Sequence, residues 1–337
     1  MKQMKVLIAG LGSAGQRHAQ NLHDLGHELL AYRVRGDPFQ LVFPEYRDLG
    51  RALDQRPDVV FVTNPTSLHL PVALTAAKRG CHLFIEKPLS HTLEGVAELK
   101  TAVRARGLTA MVGCQLRFHP LLIQARQLLQ DGAIGRVVSA RIHAGEYLPD
   151  WHPDEDYRQG YSARQDLGGG VILTVIHELD YAQWLFGEVE RVTAVVAHRS
   201  ALEIDVEDNA DVILETVSGA AVHVHLDYLQ RPPARGMTVI GEGGTLEWDY
   251  YAGSLRWWRA SAGRWESVQQ PVDHEQMRTQ LFIDELKHFL DCIERGVEPR
   301  IPLSEGERAL DLALKAKRSA ASGRAEQVTA PAEAGAQ

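Results

Sequence analysis

The segment KVLIAGLGSAG (residues 5–15) carries an apolar, β-prone run directly into glycines at 10, 12 and 15, and the helical pattern AGQRHAQNLHDLG follows at once. Few architectures accept that junction. A strand that feeds a helix through so tight a turn belongs to a βαβ unit, closed by a right-handed crossover onto a parallel neighbour. The first glycine permits the turn, the second lets the backbone approach a pyrophosphate, and the third lets helix and strand pack closely. Gly10, Gly12, Ser13, Ala14 and Gly15 are therefore expected to bind a dinucleotide, with the free N–H groups of the helix start facing its phosphates.

The alternation continues through HELLAYRV (27–34), DVVFVTN (58–64), CHLFIE (81–86) and LTAMVGC (108–114), with helical stretches between them, YRDLGRALDQRP among these. Continuous apolar strands separated by helices predict an N-terminal Rossmann domain over 1–120, a doubly wound parallel sheet covered on both faces. Ligands of such sheets lie outside the carboxyl ends of the strands, so Asn64, Pro65 and His69 of TNPTSLH are expected beside the cofactor. An NAD-preferring site usually has an acidic residue after the second strand. Here Arg33 and Arg35 stand there and no acid precedes Asp37, so NADP is the favoured cofactor and NAD the alternative. The third of these later strands closes on Glu86-Lys87-Pro88. A lysine at that edge can exchange a proton with a substrate hydroxyl or carbonyl, Glu86 can neutralise or orient it, and a cis Lys87–Pro88 bond would suit the turn.

After QLRFHP (115–120) and a helix over 120–131 the texture changes. GRVVSARIHAGEYL, VERVTAVVAH, ADVILETVSG, AAVHVHLDYLQ, GMTVIGEGGTLEWDY and SLRWWRA follow one another with Gly and Asp turns. They predict a C-terminal α+β domain over 121–325 with a large, mostly antiparallel open sheet, then a flexible tail over 326–337. In AVHVHLDY the trio His223, His225 and Asp227 faces away from Val222, Val224 and Leu226; a solvated or subunit-facing surface is preferred there over a metal site. Gly168-Gly169-Gly170 lead into a helix that is apolar nearly all round and hence buried, with Thr174, His177 and Tyr181 on one face and Asp180 able to reach His177 or the backbone. On the residues alone, a satisfied core histidine is the better reading of His177. Two amphipathic helices, 275–296 and 304–323, end the folded part.

GLGSAGQRH, TNPTSLH, FIEKPLS and LRFHP, in that order, resemble the glucose–fructose oxidoreductase / inositol 2-dehydrogenase (Gfo/Idh/MocA) family, over about residues 4 to 325. The Glu-Lys-Pro element is the specific part of that series. The resemblance implies an NAD(P)-dependent oxidoreductase acting on a sugar, polyol or sugar derivative. It makes Lys87 and His177 the catalytic pair, with Glu86 and Lys87 also bordering the cofactor. It implies association into a homodimer or homotetramer through the open sheet, and C-terminal helices packed back onto the two domains. Arg117, His119, Tyr157, Arg158, Tyr161, Arg164, Thr174 and His177 are the expected substrate contacts, the guanidiniums suiting a carboxylate or phosphate. Thr174 stands where many members have an aspartate, and a threonine cannot serve as proton acceptor. Two rival readings share the cofactor, a redox-assisted glycosidase and a regulator without turnover.

Composition narrows the field. A net charge of −8 without basic blocks argues against nucleic acid as partner. No apolar run is long enough to span a membrane, and the N-terminus lacks a signal-peptide pattern. Three separated cysteines, Cys81, Cys114 and Cys292, suit reduced thiols in the cytoplasm, and no metal site is expected.

Overall fold

Apolar β-branched runs and helices with one apolar face assemble into two compact units in the computed structural model, which describes residues 2–34, 43–270 and 273–328. The first unit comprises 1–115, 164–169 and 275–310, and the second comprises 116–163, 170–274 and the chain from 311. A single boundary at 120 thus gives way to two units that each draw on separate stretches of chain.

The first unit is built on β1 (Lys5–Ala9), β2 (Glu28–Tyr32), β3 (Glu45–Tyr46), β4 (Val59–Val62), β5 (His82–Glu86) and β6 (Ala110–Gly113). These strands are all parallel, in the order β3-β2-β1-β4-β5-β6. That is the doubly wound order, with its switch point between β1 and β4. Every residue of β4 and β6 is buried, as a strand covered on both faces requires. The helices are α1 (Ser13–Asp24), α2 (Leu49–Leu53), α3 (His69–Lys78) and α4 (Val96–Ala105). The helix expected from YRDLGRALDQRP is shortened to α2 because Asp48 caps it, its carboxylate accepting from the Arg51 N–H at 2.8 Å. Tyr46, two residues earlier, pairs with β2 instead.

The second unit holds α5 (Pro120–Gln130), β7 (Val137–Gly145), α6 (Val171–Thr174), α7 (His177–Phe186), β8 (Val189–Ala197), β9 (Asn209–Thr216), β10 (Ala221–Asp227), β11 (Ala234–Gly241), β12 (Gly244–Asp249), β13 (Ser254–Arg259) and β14 (Arg264–Gln269). The sheet order is β14-β13-β12-β11-β7-β10-β9-β8-β15, where β15 is Glu326–Gln327. The β7–β10 pair is parallel and the rest antiparallel. Side-chain alternation buries Val222, Val224 and Leu226 on one face and leaves His223 and His225 partly exposed on the other. The expected tail is ordered at its start: β15 pairs with β8, the Val328 N–H donates to Glu190 O, and Arg318 binds Glu326.

Two long helices follow the sheet, α8 (His274–Arg295) and α9 (Leu303–Ser322). Within the first unit, α8 lays Phe289 against Phe84 and Phe61, with ring centroids 5.5 and 6.0 Å apart. Among the described residues no helix is long and apolar enough to cross a membrane.

Candidate active site

The turn after β1 divides its glycines by function. Gly10 adopts φ +110°, and a Cβ there would lie 2.6 Å from the Asn64 backbone nitrogen, so the β1 and β4 turns touch through bare backbone. A Cβ on Gly15 would come within 1.9 Å of Gly10 O, which is the close packing of helix on strand. A Cβ on Gly12 would meet nothing within 4 Å. Gly12 is also the N-cap of α1 and supplies no side chain to the helix N–H groups. The residues therefore fit a dinucleotide: open space over the second glycine, with free donors and a helix dipole facing it.

Thr63, a residue the sequence reading passed over, ties these turns, its hydroxyl donating to Gly10 O at 2.7 Å. His69 is a second tie. Its ring nitrogens lie 2.8 Å from Pro88 O and 2.8 Å from Asn64 O, inside a fully buried site. Burial lowers its pKa, although both carbonyls favour the charged ring. Because both nitrogens are engaged by the backbone, His69 braces the Asn64-Pro65 turn to the Lys87-Pro88 turn and is not available to a cofactor, which corrects the expectation for it.

The Lys87–Pro88 bond is cis. Glu86, at the end of β5, accepts from the Lys87 backbone N–H at 3.2 Å and lies 2.7 Å from His18 Nε2. Burial pushes the Glu86 carboxyl up, yet the His18 hydrogen bond and the charges of His18, Lys87 and His69 bring it below its usual value. His18 is enclosed by Phe61, Phe84 and Phe282, with centroids 5.3, 5.0 and 5.8 Å away. Its Nδ1 meets no hydrogen-bond partner among the described residues. His18 sits one helical turn after Gly15, a spacing that could have flagged it.

In the second unit, the helix expected through 171–187 is broken. Val175 has ψ 42°, so α6 ends at Thr174 and a new helix starts at His177. The break takes Thr174 out of the helix that carries His177 and Tyr181, which stay four residues apart on one face of α7. Tyr181 is fully buried edge-on to Trp248, and Thr174 is buried as well. His177 opens α7, flanked by two buried acids with arginine partners. Arg235 of β11 donates to Glu178 at 2.9 Å, and Arg117 grips Asp180 through two bonds of 2.8 Å. Burial opposes the Arg235 charge, but Glu178 and neighbouring tyrosines hold its pKa above the usual value.

A model described as "Oxidoreductase family, NAD-binding Rossmann fold" matches residues 4–114, and the "GFO/IDH/MocA C-terminal domain" matches 122–247. The chain belongs to the Gfo/Idh/MocA oxidoreductase family. It is 26% identical over 338 residues to the scyllo-inositol 2-dehydrogenase (NAD(+)) of Bacillus subtilis, covering 94% of each chain. It is 34% identical over 151 residues to the levoglucosan dehydrogenase of Pseudarthrobacter phenanthrenivorans, a match spanning 44% of this chain and only 38% of that relative. A solved levoglucosan dehydrogenase, in complex with NADH and levoglucosan, shares the fold with a TM-score of 0.83 at 20% identity, over 97% of this chain and 100% of that one.

Several expected contacts of this Gfo/Idh/MocA chain are structural. Arg117, buried against Asp180 and 5.1 Å above the Trp184 ring, faces no solvent. His119 is fully buried as the N-cap of α5, accepting from the Leu121 N–H at 3.2 Å, and burial lowers its pKa to about 4. Arg158 is exposed but held by Asp156 and Glu203, and the Tyr157 hydroxyl accepts from the Glu203 N–H. Arg164 pairs with Asp166. Tyr161 is half-buried in a short 3-10 turn and keeps its candidacy. Arg33 forms a two-point pair with Glu45, so the guanidinium assigned to NADP already has a carboxylate; Arg35 lies outside the described residues. His223 and His225 share Asp211, and among the described residues no group of His, Cys, Asp and Glu is placed to hold a metal ion.

Proposed function

We propose that this chain interconverts a hydroxyl and a carbonyl on a sugar, polyol or sugar derivative. One observation carries the reading: β1, β4 and β5 are neighbours in the sheet, so Gly10–Gly15, Asn64-Pro65 and Glu86-Lys87 lie side by side at its carboxyl edge. Gly10, Gly12, Ser13, Ala14, Gly15, Asn64 and Pro65 would hold the dinucleotide. When bound, its nicotinamide supplies the hydride acceptor or donor. Lys87 takes the hydroxyl proton during oxidation and returns it during reduction, while the buried Glu86 carboxylate keeps the lysine turn electrostatically balanced. His177 is assigned to the same proton transfer, and Tyr161 to substrate recognition. The Thr174 hydroxyl cannot accept that proton, so the assignment rests on Lys87 and His177. The sugar class rests on the names of the relatives, and a homodimer or homotetramer through the open sheet, in the cytoplasm, completes the reading.

The test follows reduced-nicotinamide absorbance with purified protein and a panel of sugars, anhydro sugars, polyols and uronic acids. Lys87→Met is expected to lower kcat by about 10²–10⁴-fold while the dinucleotide still binds. Substrate oxidised in step with nicotinamide reduced would dismiss both the glycosidase and the regulator. Dinucleotide binding without turnover on any panel member, or turnover untouched in Lys87→Met, would sink the assignment.

A further inference from the structure

We infer that Glu45 sets the dinucleotide preference of this chain, by engaging Arg33 and so favouring NAD(H) over NADP(H). The inference rests on the dinucleotide reading above and assigns a residue to its selectivity.

Gly10 N–H donates to Tyr32 O at 2.8 Å, so Arg33, the next residue, leaves the sheet beside the first glycine of the phosphate turn. That is where the adenosine ribose of a dinucleotide is read in such folds, by an acid for a 2′-hydroxyl or an arginine for a 2′-phosphate. Arg33 alone would signal the phosphate. β3 changes the meaning. Ala31 pairs with Glu45, and the Arg33 N–H donates to Tyr46 O at 3.1 Å, so strand alternation puts the Arg33 and Glu45 side chains on one face. The result is a planar two-point pair, Nε to Oε2 at 3.0 Å and Nη2 to Oε1 at 2.9 Å. The Arg33 side chain is 7% exposed and that of Glu45 30%, so water screens the pair only in part. Arg47 donates to Arg33 O at 3.2 Å and fixes the backbone of the same corner.

A 2′-phosphate arriving there must compete with a carboxylate already docked on the guanidinium, and it also meets that carboxylate as a like charge. A 2′-hydroxyl meets neither obstacle. Glu45 is a positioning residue acting through Arg33.

The experiment measures Kd for NAD+ and NADP+ by quenching of tryptophan fluorescence on the full chain, for wild type, Glu45→Gln, Arg33→Gln and the double variant. Wild type is expected to bind NAD+ more tightly. Glu45→Gln should move the NADP+/NAD+ ratio toward NADP+ by about tenfold, and adding Arg33→Gln should cancel that gain. A purely structural role for Glu45 would weaken both ligands alike. If Glu45→Gln melts early by circular dichroism, Glu45→Asp, with its carboxylate drawn back by one methylene, should shift the ratio the same way by less. An unmoved ratio in a variant that still binds NAD+, or a wild type that prefers NADP+, overturns the inference. Binding of neither dinucleotide to wild type is a different failure, that of the dinucleotide reading, and it removes this inference too.

Discussion

Gly12 and Gly15 stand three residues apart in one turn, yet one faces open space and the other faces backbone, and that contrast separates binding from folding. Gly12 has φ −71°, which alanine adopts without strain, and its added methyl touches no protein atom. Gly12→Ala is thus expected to melt within about 2 °C of wild type but to bind NAD+ at least about tenfold more weakly, since the methyl occupies the pyrophosphate's approach. Gly15→Ala drives a methyl to 1.9 Å from Gly10 O and is expected to lose several kcal/mol, about 2–4 °C per kcal/mol in the melting temperature. Equal melting losses in both variants would contradict this division of labour. The glycines were legible in the sequence because their geometry is set within six residues. Arg117 was not, because its partner Asp180 lies 63 residues away and an isolated arginine reads as a solvated or ligand-facing charge. His69 and Arg33 misled for the same reason: each has a suitable position for a cofactor contact, and each is engaged by groups that a linear reading does not place beside it.

The element that matters most in the second unit is α7, because it starts at His177 and is fixed by two ion pairs rather than by apolar packing alone. The sequence announced a buried helix from its composition but not the break at Val175, since a single residue leaving the helical region makes no pattern. Both Arg117 and Asp180 are nearly inaccessible, so removing one charge leaves the other buried without its counter-ion. Asp180→Asn is expected to cost about 3–5 kcal/mol in urea unfolding, whereas replacing the pair together, Arg117→Met with Asp180→Leu, should recover most of that loss. If the pair also orients His177, the double variant will fold well yet keep a reduced kcat. Stability lost equally in the single and double variants would show that α7 depends on the pair's geometry and not on its charge balance.

At the scale of the whole chain, the amphipathic stripes of α8 and α9 were legible as faces needing a partner, but not which partner. Phe282 and Phe289 of α8 pack within the unit of the first sheet although some 160 residues of mostly other structure precede them. The second unit rests on a sheet whose outer face carries charge where an apolar pattern was absent, and there the sign of a pH effect can be worked out. His225 on β10 lies between Asp227, at 3.2 Å, and Asp211 of β9, at 2.8 Å, with His223 also on Asp211 and His143 opposite it on β7. The Asp227 hydrogen bond raises the His225 pKa from 6.5 to about 9, with burial opposing and Asp211 adding to the rise. Burial pushes Asp211 and Asp227 up, but the histidine bonds and, for Asp227, two backbone N–H groups bring both below 3.8. A folded-state pKa above the unfolded one means stabilisation that is complete below about 6.5 and lost as pH climbs to about 9. On the acid side the carboxylates lose their contribution only as pH falls below about 3.8. His225→Gln should therefore melt below wild type at pH 6, and the gap should close by pH 9, more weakly in high salt because the His225 side chain is 34% exposed. Melting curves that stay parallel from pH 6 to pH 9 would mean that His225 contributes packing to this face and no charge.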